Sequence, residues 1–207
     1  MVRIKEKKRK HKKDFIKGLA RIILKLIGWR TEGEAPAASK YVMLGYPHTS
    51  NWDVPIGLLI FLAMGVRLHW VGKQTLFKMP FGWFMKKLGG IPVDRSRSQN
   101  FVRQVVDKFN DFDELVITMS PEGTRSKSPY WRSGFYHIAR GANVPVALAF
   151  LDYRQKRGGF LGAFVPTGNI RGDLEIIKKH YVNVYGKIVE NMGEIKLPPA
   201  TDAGNQG

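Results

Sequence analysis

The stretch "YVMLGYPHTSNWDVPIGLLIFLAMG", residues 41–65, changes its pattern once, at a short polar loop. Residues 41–46 form an apolar run typical of a β-strand, and residues 54–65 form a mostly apolar segment of helical length. A strand, a loop and a helix in this order make the repeating unit of a parallel α/β sheet. The stretch therefore predicts both the fold class and a polar loop at the end of a buried strand.

The same alternation continues along the chain. Further strands are predicted at 67–72, 91–93, 114–119, 144–151 and 160–165, and further helices at 80–88, 98–110, 133–140 and about 172–183. Residues 114–119 and 144–151 are almost continuously apolar, which is typical of strands buried on both faces. We therefore expect an α/β fold with a largely parallel central sheet flanked by helices, a domain over 41–196 and a frayed tail over 197–207.

The loop "HTSNWD" offers a possible acid–base pair. If His48 lies on the loop and Asp53 in the first turn of the helix, the carboxylate can orient the imidazole and leave its other nitrogen as a base. The sequence has no obvious serine or cysteine nucleophile, so such a base would act on a hydroxyl of the substrate. Alternatively, Ser50, Asn51 and Asp53 are helix caps and His48 is a turn residue.

A second polar loop, "SPEGTRS" at 120–126, follows another predicted strand. Because ligands bind at the carboxyl ends of parallel strands, both loops should open on one edge of the sheet. Arg125 is suited to bidentate phosphate binding, and Arg95 and Lys73 follow two other strands. Each cation alone is more often a surface charge, but together they predict an anion-binding site beside His48.

Composition limits the classes of protein that remain. The 207 residues suffice for one domain with its own core. The absence of cysteine excludes disulfides, thiolate catalysis and cysteine-ligated zinc. Lysine and arginine exceed aspartate and glutamate by 34 to 17, and residues 1–13 alone hold eight basic residues and one acidic residue. The chain should therefore bind a polyanion: nucleic acid, anionic lipid or an acidic protein.

The segment that follows the basic run favours lipid. Residues 1–30 read as a basic N-terminus with an amphipathic helix, followed by a polar linker at 31–40. Ile22 shares the helical spacing of the residues expected to face a membrane interface, which are Phe15, Ile16, Leu19, Ile23, Leu26, Ile27 and Trp29. The alternative is a helix packed on the body with a solvated basic face. No stretch reaches the roughly 18 apolar residues of a spanning helix, so we expect a peripheral protein.

Nucleic acid binding is the competing class, motivated by an isoelectric point near 10.1. It predicts a basic stripe interleaved with aromatic residues and a recognition motif. The densest charge instead lies beside an apolar helical face, and no such motif is present. We therefore expect no nucleic acid partner.

Four blocks in this order resemble those of the glycerolipid (lysophospholipid) acyltransferases, in particular the bacterial 1-acylglycerol-3-phosphate acyltransferases. His48, Ser50 and Asp53 match the family's H-x-S-x-x-D block, and Glu122, Gly123, Thr124 and Arg125 match its E-G-T-R block. Gly89, Gly90 and Arg95 match the end of the second block, and Pro145 lies in the looser fourth. Where many members carry a glutamate soon after the second-block lysine, this chain has Thr75.

The resemblance implies a fold, a reaction and residue roles. The fold would be glycerol-phosphate acyltransferase-like. The reaction would transfer a fatty acyl chain from acyl-CoA or acyl carrier protein to the hydroxyl of a lysophospholipid, with 1-acylglycerol-3-phosphate as the leading candidate. His48 would be the base and Asp53 its partner, and the substrate-binding residues would be Glu122, Gly123, Thr124, Arg125, Arg95 and Lys73. No metal or redox cofactor would be needed, and the enzyme would lie on the cytoplasmic face of the inner membrane. Thr75 leaves open another acceptor, namely a lyso-ornithine lipid, another lysophospholipid or a glycolipid.

Overall fold

A computed structural model describes residues 2–80, 82–94 and 98–199 of the chain. The strands are β1 Arg30–Glu32, β2 Lys40–Gly45, β3 His69–Lys73, β4 Gly90–Val93, β5 Leu115–Met119, β6 Val146–Asp152 and β7 Arg157–Phe164. The α-helices are α1 Val2–Leu26, α2 Asp53–Met64, α3 Gly82–Lys87, α4 Ser98–Asp111, α5 Gly134–Gly141 and α6 Ile170–His180. Two 3-10 turns lie at Gln74–Phe77 and Val189–Asn191.

Within the described residues, the seven strands form one sheet in the order β1-β7-β6-β2-β5-β3-β4. The five strands from β6 to β4 run parallel, β7 is antiparallel to β6, and β1 is parallel to β7. The prediction of an α/β fold with a largely parallel sheet and flanking helices is therefore confirmed. Since β2, β5 and β6 are neighbours, the loops after these three strands meet at one edge of the sheet.

Alternate side chains of the central strands serve two cores. Leu44, Ile117 and Leu148 lie in the core that includes buried residues of α4, α5 and α6. Met43 and Ala147 lie in the opposite core, with buried residues of α1 and α2. All seven residues of β6 are buried. This double burial explains why the central strands read as continuous apolar runs.

Strand β1 lies at the start of the segment that was predicted to be a linker. It pairs with β7, and Gly159 lies opposite Glu32 in that pairing. A Cβ on Gly159 would lie 2.0 Å from the Glu32 carbonyl oxygen, so only glycine permits the pairing. Arg157 then bonds both the Glu32 carboxylate at 2.8 Å and Asp152 at 3.1 Å. The start of the predicted linker is thus part of the sheet.

Helix α1 packs on α2 through Ala20 and Leu24, and Arg21 Nε donates to the carbonyl of Ala63 at 3.2 Å. The other side of α1 exposes Phe15, Ile16, Leu19, Ile22, Leu26 and Ile27, whereas Ile23 is half-buried. We call this exposed set the α1 apolar face.

The interpretation of Trp29 as a membrane-facing residue is wrong. Trp29 is only 8% exposed, because the chain turns back after α1 and places the indole edge-on against Tyr153, with ring centroids 5.0 Å apart.

No helix among the described residues is long and apolar enough to cross a membrane. At the C-terminus, Leu197 packs against the core and the Pro198 carbonyl accepts a hydrogen bond from Arg171. These contacts hold the beginning of the tail that was expected to be frayed, whose residues 200–207 lie outside the described part.

Candidate active site

His48 and Asp53 form a hydrogen-bonded pair at the carboxyl end of β2. Asp53 is the first residue of α2, and His48 lies on the loop before it. His48 Nδ1 is 2.9 Å from Asp53 Oδ2, and the imidazole is 28% exposed whereas the carboxylate is almost fully buried. Within the described residues, His48 Nε2 has no hydrogen-bond partner. The pair thus presents one ring nitrogen toward the outside.

Asp53 is held by four donors in total. Oδ2 also accepts from the backbone N–H groups of Thr49 at 2.9 Å and Ser50 at 3.0 Å, and Oδ1 accepts from the Tyr153 hydroxyl at 2.7 Å. Burial raises the pKa of Asp53, but the hydrogen bonds from His48, Tyr153 and Ser50 outweigh burial and lower the pKa below its ordinary value. Asp53 is therefore ionised, so Nδ1 carries the proton of the shared hydrogen bond and Nε2 is the basic nitrogen.

The capping interpretation of this loop does not describe the geometry. The residue that precedes α2 is Trp52, and no side chain caps that helix end. The Asp53 carboxylate turns back to the loop and the imidazole, while Ser50 Oγ accepts from the N–H of Trp52 at 3.2 Å. The loop therefore orients the histidine and leaves the helix terminus uncapped by side chains.

Glu122 joins the second loop to the first. Its side chain is 1% exposed, and its Oε2 accepts the backbone N–H of His48 at 2.8 Å. Oε1 is also buried. Burial raises the pKa of Glu122 to about 7, although the His48 N–H acts in the opposite direction. Glu122 is thus a buried acid that titrates near neutrality and lies directly behind the histidine.

The rest of the second loop is exposed. Gly123 has φ of +65°, and a Cβ there would lie 2.7 Å from Arg132 Nε, so this position favours glycine. Thr124 Oγ1 accepts the N–H of Ser126 at 3.2 Å. Arg125 donates from Nη1 to Oδ1 of Asn51, a residue of the first loop. Arg125 therefore lies beside the His48 loop with its guanidinium accessible to solvent.

The two other predicted cations differ in their placement. Lys73 ends β3, which is separated from β2 by β5, and its side chain is exposed. It is the last residue of a strand that ends at the same edge, but no hydrogen bond or ion pair joins it to another described site residue. Arg95 lies outside the described residues. The structure thus brings His48, Asp53, Glu122 and Arg125 together and leaves Lys73 at the side.

The prediction from sequence missed several residues that shape this site. Tyr153 directly follows β6, so the rule about carboxyl ends of strands applied to it as well. The segment after α6 also reaches the site: the Ile188 N–H donates to Thr49 Oγ1 at 3.1 Å, and Tyr46 Oη donates to the Gly193 carbonyl at 2.9 Å. That segment carries no motif, so no sequence signal located it.

The arrangement suits proton transfer at a hydroxyl close to an anion. Among the described residues, no group of three or more histidines and carboxylates is placed to hold a metal ion. The imidazole of His48, oriented by the Asp53 carboxylate, can transfer a proton, and the accessible Arg125 can bind an anion. Glu122 is a buried carboxyl group that can be neutral or ionised.

Comparisons with known proteins identify the family and the fold. A search of curated proteins found no match. Among solved structures, the chain is similar to the 1-acyl-sn-glycerophosphate (LPA) acyltransferase PlsC from Thermotoga maritima, with 18% identity and a TM-score of 0.57 over 84% of this chain and 80% of that one. At this identity the similarity establishes the fold. The family model for Acyltransferase matches residues 29–148, which include both loops of the site and more than half of the chain. The chain is an acyltransferase and belongs to the Acyltransferase family.

Proposed function

We propose that the protein is a peripheral membrane O-acyltransferase. It moves a fatty acyl chain from acyl-CoA or acyl carrier protein to the free hydroxyl of a lysophospholipid. The acceptor is 1-acylglycerol-3-phosphate, and the product is phosphatidic acid. The observation that carries this proposal is the imidazole of His48, held by Asp53 at 2.9 Å with Nε2 open, on a loop bonded to Arg125.

The reaction needs one group that acts first as a base toward the acceptor hydroxyl and later as an acid toward the leaving thiolate. His48 Nε2 takes the proton of the acceptor hydroxyl while the oxygen attacks the thioester carbonyl carbon. Asp53 stabilises the imidazolium that forms, since its carboxylate remains ionised. When the tetrahedral intermediate collapses, the carbon–sulfur bond breaks and the imidazolium returns the proton to the thiolate. The histidine is neutral again, and the products are the ester and the free thiol.

The acceptor headgroup supplies the anion that the loops are suited to bind. Arg125 offers a guanidinium on the same side as the His48 loop, where it bonds Asn51. Lys73 and Arg95 are the further phosphate-binding residues, and Gly123 and Thr124 let the loop backbone approach the substrate. Binding the phosphate orients the hydroxyl toward Nε2, which contributes to catalysis by proximity.

The membrane partner is an anionic surface bound by α1. The α1 apolar face presents large apolar side chains to the outside, Leu26 being 81% exposed, next to a run of basic residues at the N-terminus. A basic amphipathic helix of this kind lies in the interface plane of an anionic bilayer. The cytoplasmic face of the inner membrane is the place where such a surface, an acyl thioester and a lysophospholipid occur together.

An acceptor-and-donor panel tests the proposal. Purified protein is assayed with labelled palmitoyl-CoA or palmitoyl-acyl carrier protein and, in turn, with 1-acylglycerol-3-phosphate, neutral lysophospholipids, a lyso-ornithine lipid and a glycolipid acceptor. We expect turnover of 1-acylglycerol-3-phosphate that depends on His48. Turnover of another acceptor alone would move the assignment to that lipid, which is the alternative that Thr75 leaves open. Absence of transfer, with nucleic acid binding at matched salt, would overturn the proposal.

A further inference from the structure

A second group of exposed apolar side chains lies far from α1 in the sequence. Residues 74–89 connect β3 to β4 and include the 3-10 turn and α3. Within this connection Leu76, Met79, Trp83, Phe84 and Leu88 are all exposed, with Met79 at 85% and Trp83 at 62%. We call these five residues the α3 patch. Large apolar side chains exposed this closely together mark an interaction surface.

The charged residues within the segment that carries the α3 patch have one sign. Lys73, Lys78, Lys86 and Lys87 are exposed, and no aspartate or glutamate occurs from residue 73 to residue 93. Lys87 Nζ lies 5.7 Å from the centre of the Trp83 ring. Tryptophan and lysine next to each other, with apolar side chains between them, are the composition of a surface that inserts at the headgroup level of a bilayer.

The sheet order places this patch across the candidate active site from α1. Strand β3 pairs with β5, whose loop carries Glu122 and Arg125, and the α3 patch follows β3. Helix α1 packs on α2, and α2 contacts β1 and β7 on the other side of β2. In the order of the strands, β2 and β5 therefore lie between β3, which leads to the α3 patch, and the strands that α2 contacts.

We propose that the α3 patch is a second contact with an anionic bilayer. Together with α1 it seats the protein on two sides of the catalytic loops, so that a lysolipid reaches His48 from the membrane between them. This proposal rests on the proposed membrane acyltransferase function and adds a partner surface that the sequence motifs do not specify. The bilayer is the occupant because the patch combines apolar exposure with unbalanced positive charge.

Vesicle flotation tests the second contact. The double variant M79S/W83S is compared with V165S/V182S, a control in which both exposed valines, at 67% and 64%, lie outside either membrane-facing surface. On vesicles of phosphatidylglycerol and phosphatidylcholine we expect M79S/W83S to bind at least about tenfold more weakly than wild type, and the control to bind unchanged. K86S/K87S should bind anionic vesicles more weakly and neutral vesicles as wild type does.

Several outcomes would overturn this proposal. The proposal is contradicted directly if M79S/W83S binds vesicles as tightly as the wild type does. If M79S/W83S binds vesicles normally but no longer turns over acyl carrier protein substrates, the patch binds that acidic protein. If the variant changes from dimer to monomer in sedimentation, the patch binds a second copy of the chain. Transfer to a detergent-dispersed acceptor should be retained by M79S/W83S. If wild type also fails in that assay, the proposed function is at fault instead.

An independent observation concerns Tyr153. Its hydroxyl donates to Oδ1 of Asp53 at 2.7 Å, while Oδ2 of the same carboxylate bonds His48. Its backbone N–H donates to the carbonyl of Tyr185 at 2.9 Å, and its ring meets the buried Trp29 edge-on. The phenol is thus fixed from both sides. It lies beyond residues 29–148, where the family model matches.

We infer that Tyr153 is a positioning residue for the His48–Asp53 pair. It occupies the carboxylate oxygen that His48 does not use, so the carboxylate cannot turn away from the imidazole. It also draws negative charge away from Oδ2, so loss of the phenol changes the interaction of the carboxylate with the imidazole. This inference rests on the proposed role of His48 as base.

Tyr153→Phe is the test, with Tyr185→Phe as matched control. The Tyr185 hydroxyl has no hydrogen-bond partner among the described residues, and its ring keeps its contact with Arg154 after the substitution. For Tyr153→Phe we expect kcat to fall about tenfold, both KM values to stay within about twofold, and the acid limb of the pH–kcat profile to move up by about 0.5 unit. The control should match wild type in all three.

The direction in which the acid limb of the pH–kcat profile moves distinguishes a positioning role of Tyr153 from a purely structural role. A purely structural role lowers the melting temperature or the active fraction but leaves the acid limb in place, and that result would overturn the inference. 3,5-Difluorotyrosine at position 153 keeps the ring and makes the hydroxyl a stronger hydrogen-bond donor to Asp53. It should therefore move the acid limb of the pH–kcat profile to lower pH. If His48→Ala is fully active, the proposed base is wrong. If His48→Ala is inactive and Tyr153→Phe is unchanged, only the inference on Tyr153 is wrong.

Discussion

The backbone N–H of His48 donates to the carboxylate of Glu122 at 2.8 Å, although the two residues lie 74 positions apart. This bond links the loop after β2 to the loop after β5. It uses the backbone of His48, so the imidazole is free to bond Asp53. The H-x-S-x-x-D and E-G-T-R blocks are therefore one structural unit, because the glutamate of one block supports the histidine of the other.

Glu122 gives this unit a predictable pH dependence of stability. Its pKa rises from the ordinary 4.5 to about 7 on folding, so the folded state holds the proton more tightly than the unfolded state. Stability contributed by this proton is complete below pH 4.5 and is lost as the pH rises through 7. The loss amounts to about 3 kcal/mol, since one pKa unit corresponds to about 1.4 kcal/mol.

Glu122→Gln should remove this dependence because glutamine does not titrate, while its amide oxygen still accepts from His48. Urea unfolding of both proteins at pH 5 and pH 8 measures it. Wild type should lose about 2.5 kcal/mol more than Glu122→Gln between these two values, because part of the total loss has already occurred at pH 5. Equal losses would mean that Glu122 has its ordinary pKa in the folded protein.

His48→Ala should abolish acyl transfer, with a decrease of about 10²–10⁴ in kcat, which is the range for loss of a general base. The fold should remain, because the imidazole lies on a loop and is partly exposed. Acyl transfer and thermal unfolding are measured on the same preparation. His180→Ala is the control, since His180 is an exposed residue at the end of α6. Full activity of His48→Ala would contradict the assignment of the base.

Much of the fold and part of the site could be predicted from sequence because the signals are local. The strands β2, β5 and β6 are apolar runs, and His48 and Arg125 lie just after two of them. Strand β1 contains no apolar residue, and its pairing depends on Gly159 and Arg157, more than 120 positions away. The burial of Trp29 depends on its contact with Tyr153. Periodicity carries no information on such distant contacts, so these features were missed.

Arg125→Ala should raise the KM for a phosphate-bearing acceptor by about 10- to 100-fold, the range for loss of a charge-assisted hydrogen bond, and leave the KM for the acyl thioester unchanged. Arg125→Lys should recover only part of the loss, because an ammonium does not bind phosphate in a bidentate manner. Steady-state kinetics with each substrate varied in turn measures both constants. Arg103→Ala, an exposed position on α4, is the control. A rise in the thioester KM alone would assign Arg125 to the donor site.

The α1 apolar face and Trp29 should respond to substitution in opposite ways, although they are neighbours in the sequence. Phe15 and Leu26 are 72% and 81% exposed, so F15S/L26S should weaken flotation with anionic vesicles and leave the free energy of unfolding within about 0.5 kcal/mol of wild type.

Trp29→Ala should instead lower the free energy of unfolding by about 3–5 kcal/mol, because it removes a buried indole from the core shared by α1, α2 and the sheet. Urea unfolding and flotation at a temperature where the variant stays folded measure the two effects. Vesicle binding lost in Trp29→Ala without loss of stability would place the indole at the membrane, contrary to its burial against Tyr153.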